Sequence, residues 1–158
     1  MDYEPYERMP GCKVFRGGEA DLLREFWLRT GGKDGKRPRL ISFNGRAYDL
    51  PTLAIRSAML GIRPSRPIEG KPWERGEHVD LMDVFNFGGQ ARQSYKLDYW
   101  CRRFGVESPK TDLDGSLVGR AYRDGRIQDI GEYCLRDTRA TAELYRRIKP
   151  TLLETGHT

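Results

Sequence analysis

The apolar run Leu40-Ile41-Ser42-Phe43 stops abruptly at Asn44-Gly45, and this break constrains the fold more than any other feature of the chain. Pro38 precedes the run and a turn dipeptide ends it. Four residues are too few for a helix, so the run reads as a buried strand. Beyond the turn, Leu50 to Gly61 sets Leu50, Leu53, Ala54 and Ser57 on one face behind Pro51, and reads as a helix. Helices alternating with a few short apolar strands indicate an α/β layer.

The rest of the chain extends that pattern. Lys13-Val14-Phe15 reads as a short strand, and Glu19 to Thr30 as a helix with Leu22, Leu23, Phe26 and Trp27 inward. His78 to Phe85 reads as a strand passing into a short turn. Ser94 to Val106 holds a helix that ends at Gly105. Asp114 to Ser116 carries a cap signal before a short helix closed by Gly125, and residues 127–148 form the longest helix. Trp27 and Trp100 read as core residues, Asp114 as a cap. His78 and Asp80 read as strand-end structure, and Asp83 as a solvated or a turn residue. Residues 62–77 contain three prolines and several cations, and read as a long exposed loop of the kind that often carries function. The domain plan is an irregular arm over 1–12, one α/β domain over 13–150 and a tail over 151–158. About three strands are visible, fewer than a stable sheet usually has, so the leading strands are expected to be absent.

Composition excludes several classes. With 158 residues the chain can bury one proper core. It is too rich in aromatic residues to be disordered, although 32% of it is charged. Lys and Arg number 28 against 23 Asp and Glu, a net charge of +5 that permits a polyanionic partner without demanding one. Cys12, Cys101 and Cys134 form neither a disulfide framework nor a metal pair, which points to a reducing cytoplasm. Cys101 and Cys134 are expected in the core. No apolar run approaches membrane-spanning length.

Two acids stand in unusual places. Asp49 follows Tyr48 between the strand and its helix. Asp137 falls within the apolar stripe Ile127, Ile130, Cys134, Thr141, Leu144, Tyr145 and Ile148 of the longest helix, and Tyr133 is one turn earlier on the same face. A carboxylate facing a core is costly unless something compensates it. Asp49 can be a helix cap, and Asp137 can pair with an arginine. Alternatively the two are hard oxygen ligands for Mg²⁺ or Mn²⁺.

The segments "FNGRAYDLP" and "YCLRD" resemble the second and third motifs of the DEDD 3′–5′ exonucleases. Within that family the chain is most similar to predicted exonucleases resembling the proofreading domain of family-B DNA polymerases. "GGEADLLREFW", "HVDLMDVF" and "DGSLVGRAYRDGRIQDIGEYCLRDT" extend the likeness over residues 13–148. The resemblance implies an RNase H-like mixed sheet flanked by helices, and two-metal phosphodiester hydrolysis at single-stranded DNA or RNA 3′ ends. It makes Asp137 a metal ligand, Tyr133 the group that orients water, and Asp49 a holder of the metal site. Asn44 and Tyr48 would touch the terminal nucleotide. The loop residues Arg66, Lys71 and Trp73 are expected to bind nucleic acid through phosphates and base stacking. The family also has a first motif, Asp-x-Glu, on an apolar strand. Asp2-Tyr3-Glu4 lies instead in the polar arm, so this motif is expected to be missing and the metal site weak or incomplete. The alternative is a non-catalytic nucleic-acid-binding or scaffolding remnant. An open sheet edge predicts a homodimer, or the arm packed across that edge.

Overall fold

A computed structural model of the chain describes residues 14–32, 36–67, 76–91, 94–110 and 113–154. Its contacts divide the chain into two compact units, one of Phe15–Ser94 and the other containing Tyr95–Thr158. The architecture is α/β.

The first unit contains α1 (Glu19–Thr30), β1 (Leu40–Ser42), α2 (Asp49–Met59), β2 (His78–Asp80) and α3 (Leu81–Phe85). β1 and β2 pair in parallel, Leu40 opposite His78, Ile41 opposite Val79 and Ser42 opposite Asp80. They form the whole sheet among the described residues. All three residues of β2 are buried, whereas those of β1 are only half-buried. Leu23 and Trp27 of α1 and Ser57 of α2 are buried, and the Trp27 Nε1–H donates to Ser57 Oγ at 2.8 Å. The shared bond explains why a serine occupies an inward position of α2: it satisfies the one polar atom of the buried indole. Glu19 and Arg56 close the same pair of helices with two 2.5 Å bonds at the surface.

The second unit contains α4 (Leu97–Arg103), α5 (Val118–Arg123) and α6 (Ile127–Ile148), with a π-helical turn over Lys149–Leu153. Its core gathers Cys101, Val106, Leu113, Ala121, Leu135, Ala140, Leu144 and Ile148. Gly105 and Gly125 end α4 and α5 in the left-handed conformation, with φ of +66° and +74°. Asp114 accepts bonds from the Ser116 N–H and hydroxyl in the turn before α5, but it is not the cap expected of it: the N-cap of α5 is Leu117, which makes no side-chain bond.

Several expectations are corrected here. Val14 and Phe15 are not a strand, and Lys13 lies outside the described residues. Cys134 is exposed, and Ile127 is 40% exposed. The C-terminal part of the expected stripe is buried at Thr141, Leu144 and Ile148, but further up the helix the buried positions are Leu135 and Ala140. Two neighbouring stripes on α6 have similar spacing, and packing chose between them. Residues 151–153, expected in a tail, continue the helical path. Arg66, expected on an exposed loop, is buried. Asp83 is not a solvated turn residue, because its carboxylate meets Arg46 at 2.9 Å.

Candidate active site

The first group of site residues hangs on the turn after β1. Asn44 has a φ of +63°, a left-handed conformation that asparagine tolerates better than most residues. The turn passes into α2 through two backbone bonds, Tyr48 N to Asn44 O at 3.2 Å and Leu50 N to Gly45 O at 2.8 Å. Tyr48 is 70% exposed, a free aromatic surface, and Asn44 is exposed beside it. Asp49 is the first residue of α2 rather than its cap. Its carboxylate makes no hydrogen bond or ion pair among the described residues. Local burial pushes its pKa above the ordinary 3.8, and the nearby charge of Asp80 adds to the effect. Asp49 is an exposed residue by area, so the desolvation falls on the carboxylate tucked against the turn rather than on the whole side chain.

Beneath the turn is a charged layer that sequence reasoning treated as plain structure. Asp80 is 3% exposed and accepts three backbone bonds: Asn44 N and Met82 N on Oδ1 at 2.8 and 2.9 Å, and Arg46 N on Oδ2 at 2.8 Å. Arg46 Nε donates to Asp83 at 2.9 Å, and its Nη2 to the His78 carbonyl at 3.2 Å. His78 Nε2 is 2.8 Å from Ser42 Oγ, while its Nδ1 is buried with no hydrogen-bond partner. Burial, with Arg46 and Arg66 against the opposing pull of Asp80, drives the His78 pKa down to about 4. Gly45 is buried, and a Cβ there would lie 2.6 Å from Ser42 Cβ and 3.1 Å from Asp49 Oδ2. The sequence signals for this layer are faint. An Asp between a strand and Leu81-Met82 is a cap position, and Asn-Gly marks a turn, but neither tells which carboxylate holds it.

The second group lies on α6. Tyr133 and Asp137 are one turn apart on its half-buried side, and their side chains hydrogen-bond. Burial raises the Asp137 pKa against the lowering effects of Tyr133 and Arg136. Asp137 has no ion pair among the described residues, so the structural salt bridge considered for it is not formed there. Burial first, then the Asp137 charge, pushes the Tyr133 hydroxyl up to about 12. That hydroxyl would be 3.8 Å from a Cβ on Gly115, so it faces the turn before α5.

The loop residues fare differently. Arg66 is 5% exposed. Its guanidinium donates to the carbonyls of Pro38 at 2.9 Å and Glu77 at 3.1 Å, and to the Glu77 carboxylate at 3.2 Å. It ties the approach to β1 to the approach to β2, and a phosphate-binding role does not fit that burial. Lys71 and Trp73, like Asp2 and Glu4, lie outside the described residues.

Each of the two carboxylates, Asp49 in the first unit and Asp137 in the second, is an oxygen donor in surroundings that disfavour its charge when bare, the kind of ligand a hard divalent cation takes. Among the described residues no three or more His, Cys, Asp or Glu side chains gather as a metal-holding group. Among the described residues no helix is long and apolar enough to cross a membrane.

Residues 9–154 match the family described as a predicted 3′–5′ exonuclease related to the exonuclease domain of PolB. DNA polymerase 1 of Aeropyrum pernix is 34% identical over 117 residues, covering 68% of this chain and 12% of the polymerase. An uncharacterized protein of Methanocaldococcus jannaschii is 32% identical over 135 residues, covering 79% of this chain and 71% of that protein. The chain thus spans a small part of the polymerase and most of the second relative. No solved structure matches it.

Proposed function

Because the chain belongs to the family of predicted 3′–5′ exonucleases related to the exonuclease domain of PolB, we propose that it is an exonuclease-like domain acting on the 3′ ends of single-stranded DNA or RNA. An RNase H-like arrangement of its α/β elements and a place in the cytoplasm belong to the same reading. The observation that carries it is the Tyr133–Asp137 couple on α6, a half-buried carboxylate with no ion pair among the described residues beside a hydroxyl held in its protonated form.

In this reading Asp49 and Asp137 would hold Mg²⁺ or Mn²⁺, which when bound would ready a water and stabilise the in-line displacement at phosphorus. Tyr133, with a pKa near 12, keeps its proton at neutral pH. It therefore orients the attacking water as a hydrogen-bond partner and does not serve as the base. Tyr48 offers its open ring to the terminal base, and Asn44 its amide to the same nucleotide. Lys71 and Trp73 would extend the path along the strand. A second copy adding a strand to the two-stranded sheet is also part of this reading, and light scattering that finds a monomer at every concentration removes it.

The test is digestion of a 3′-labelled single-stranded oligonucleotide with Mn²⁺. We expect slow, metal-dependent loss of 3′ nucleotides that Asp137→Asn abolishes. Binding without digestion reduces the protein to a nucleic-acid-binding relative of these enzymes. A chain that neither binds nor digests the oligonucleotide overturns the proposal.

A further inference from the structure

Resting on the reading above, we infer that Asp80 is a positioning residue: it holds the Asn44–Arg46 turn so that Asn44, Tyr48 and Asp49 are presented to the 3′-terminal nucleotide. Four observations lead there. First, one buried carboxylate serves two segments. A single bond, from Met82 N, caps α3, while two go to the turn after β1, which is 34 to 36 residues away in sequence. A cap alone needs only the first. Second, the turn contains a non-glycine residue at a φ of +63°, a conformation that persists where neighbouring contacts over-determine it. The two amides of Asn44 and Arg46, both donating to Asp80, are such contacts. Third, the Arg46 side chain ends on the same segment, at Asp83 and the His78 carbonyl, so the turn is anchored from both backbone and side chain. Fourth, the anchoring passes on to the site. Asn44 O and Gly45 O accept the first bonds that lead into α2, and Gly45 leaves so little room that the Asp49 carboxylate rests against it. A shift of the turn relative to β2 is therefore a shift of Tyr48 and Asp49.

The chemistry of substitution separates positioning from capping. Asparagine caps a helix about as well as aspartate, so Asp80→Asn keeps the Met82 bond. Its amide nitrogen then faces one turn N–H instead of accepting from it. Asp80→Ser also caps, but offers one oxygen where the carboxylate offered two.

The experiment uses the full chain, well below its unfolding temperature. Amide exchange is followed by NMR, and anisotropy compares single-stranded oligonucleotides with a free and a blocked 3′ end. Asn44 N and Met82 N share Oδ1 while Arg46 N alone uses Oδ2, so in Asp80→Asn we expect exchange at Arg46 to rise at least tenfold, with Asn44, Met82 and the β1–β2 amides unchanged. Preference for the free 3′ end should fall about fivefold or more, and Asp80→Ser should lose it further. A protected Arg46 amide in Asp80→Asn overturns the inference. So does a wild-type 3′-end preference in a variant whose Arg46 amide exchanges freely. If the wild type has no 3′-end preference, it is the exonuclease reading that fails, and the Asp49 carboxyl carbon signal decides the positioning claim. A signal displaced in both Asp80 variants supports it, and an unmoved signal overturns it.

Discussion

Asp49 in the first unit and Asp137 in the second are held in opposite ways. Asp49 stands on a turn whose geometry comes from distant residues, Asp80 and Asp83 beneath it, with the neighbouring Ser42 packed beside Gly45. Asp137 stands in the middle of a 22-residue helix, where the backbone positions it and its hydrogen-bond partner Tyr133 is four residues away. A helix carries a side chain to a defined place by local repetition, whereas a strand-end turn needs tertiary contacts to do the same. Damage to the layer under the turn should therefore cost stability and site geometry together. Changes on α6 should alter chemistry with little effect on folding.

The sharpest break in this comparison is expected from pH. The His78 pKa is about 4 in the folded protein and 6.5 in the unfolded chain. The folded state binds this proton more weakly, so the neutral ring's contribution is complete above pH 6.5 and is lost as pH falls towards 4. At 1.36 kcal/mol per unit, the loss is bounded at roughly 3 kcal/mol. Urea unfolding at several pH values should show it, and His78→Gln should flatten the difference. An unchanged slope in His78→Gln would remove the buried ring from the account.

Next in size is Arg66→Ala. It strips the Pro38 carbonyl of its donor, whereas the Glu77 carbonyl keeps the bond from Leu40 N, so one acceptor is left unpaired at ~1–3 kcal/mol and about 2 kcal/mol is expected. Arg139→Ala on the exposed side of α6 should stay within about 0.5 kcal/mol. Equal effects of the two would make Arg66 another surface cation.

A matched pair of glycines gives a smaller contrast. In Gly45→Ala the new methyl meets Ser42 at 2.6 Å and must displace it, for ~1–2 kcal/mol. In Gly115→Ala the nearest atom is the Tyr133 hydroxyl at 3.8 Å, an ordinary contact, and about 0.5 kcal/mol or less is expected. Thermal unfolding of both variants checks the difference.

The smallest effect concerns Asp137. Its folded pKa lies above 3.8, so its contribution to stability is complete below that pH and is lost as pH rises through the folded value. At pH 7 the bare carboxylate is a burden. Asp137→Asn should then raise the unfolding midpoint slightly at pH 7 and leave it unchanged at pH 3. Tyr133→Phe removes the hydrogen bond that holds the Asp137 pKa down, so the carboxyl should titrate higher still by NMR. A lower value in that variant would mean that the hydroxyl does not stabilise the carboxylate.

Local pattern determined most of the elements by itself. The end of β1 at Ser42, just before Asn44-Gly45, the ends of α4 and α5 by Gly105 and Gly125, and the span of α6 are all set by residues within a few positions of each boundary. The spacing Tyr133-x-x-x-Asp137 also guaranteed a shared helical face, because a helix repeats every 3.6 residues. Only the tertiary structure decided which side of α6 was buried, leaving Cys134 out and Leu135 in, since both stripes satisfy the same periodicity. It likewise turned Arg66 inward and made Asp80 the anchor of the turn. Those outcomes depend on carbonyls and amides 11 to 36 residues away, and no local pattern in a sequence records which distant backbone groups will come within hydrogen-bonding reach.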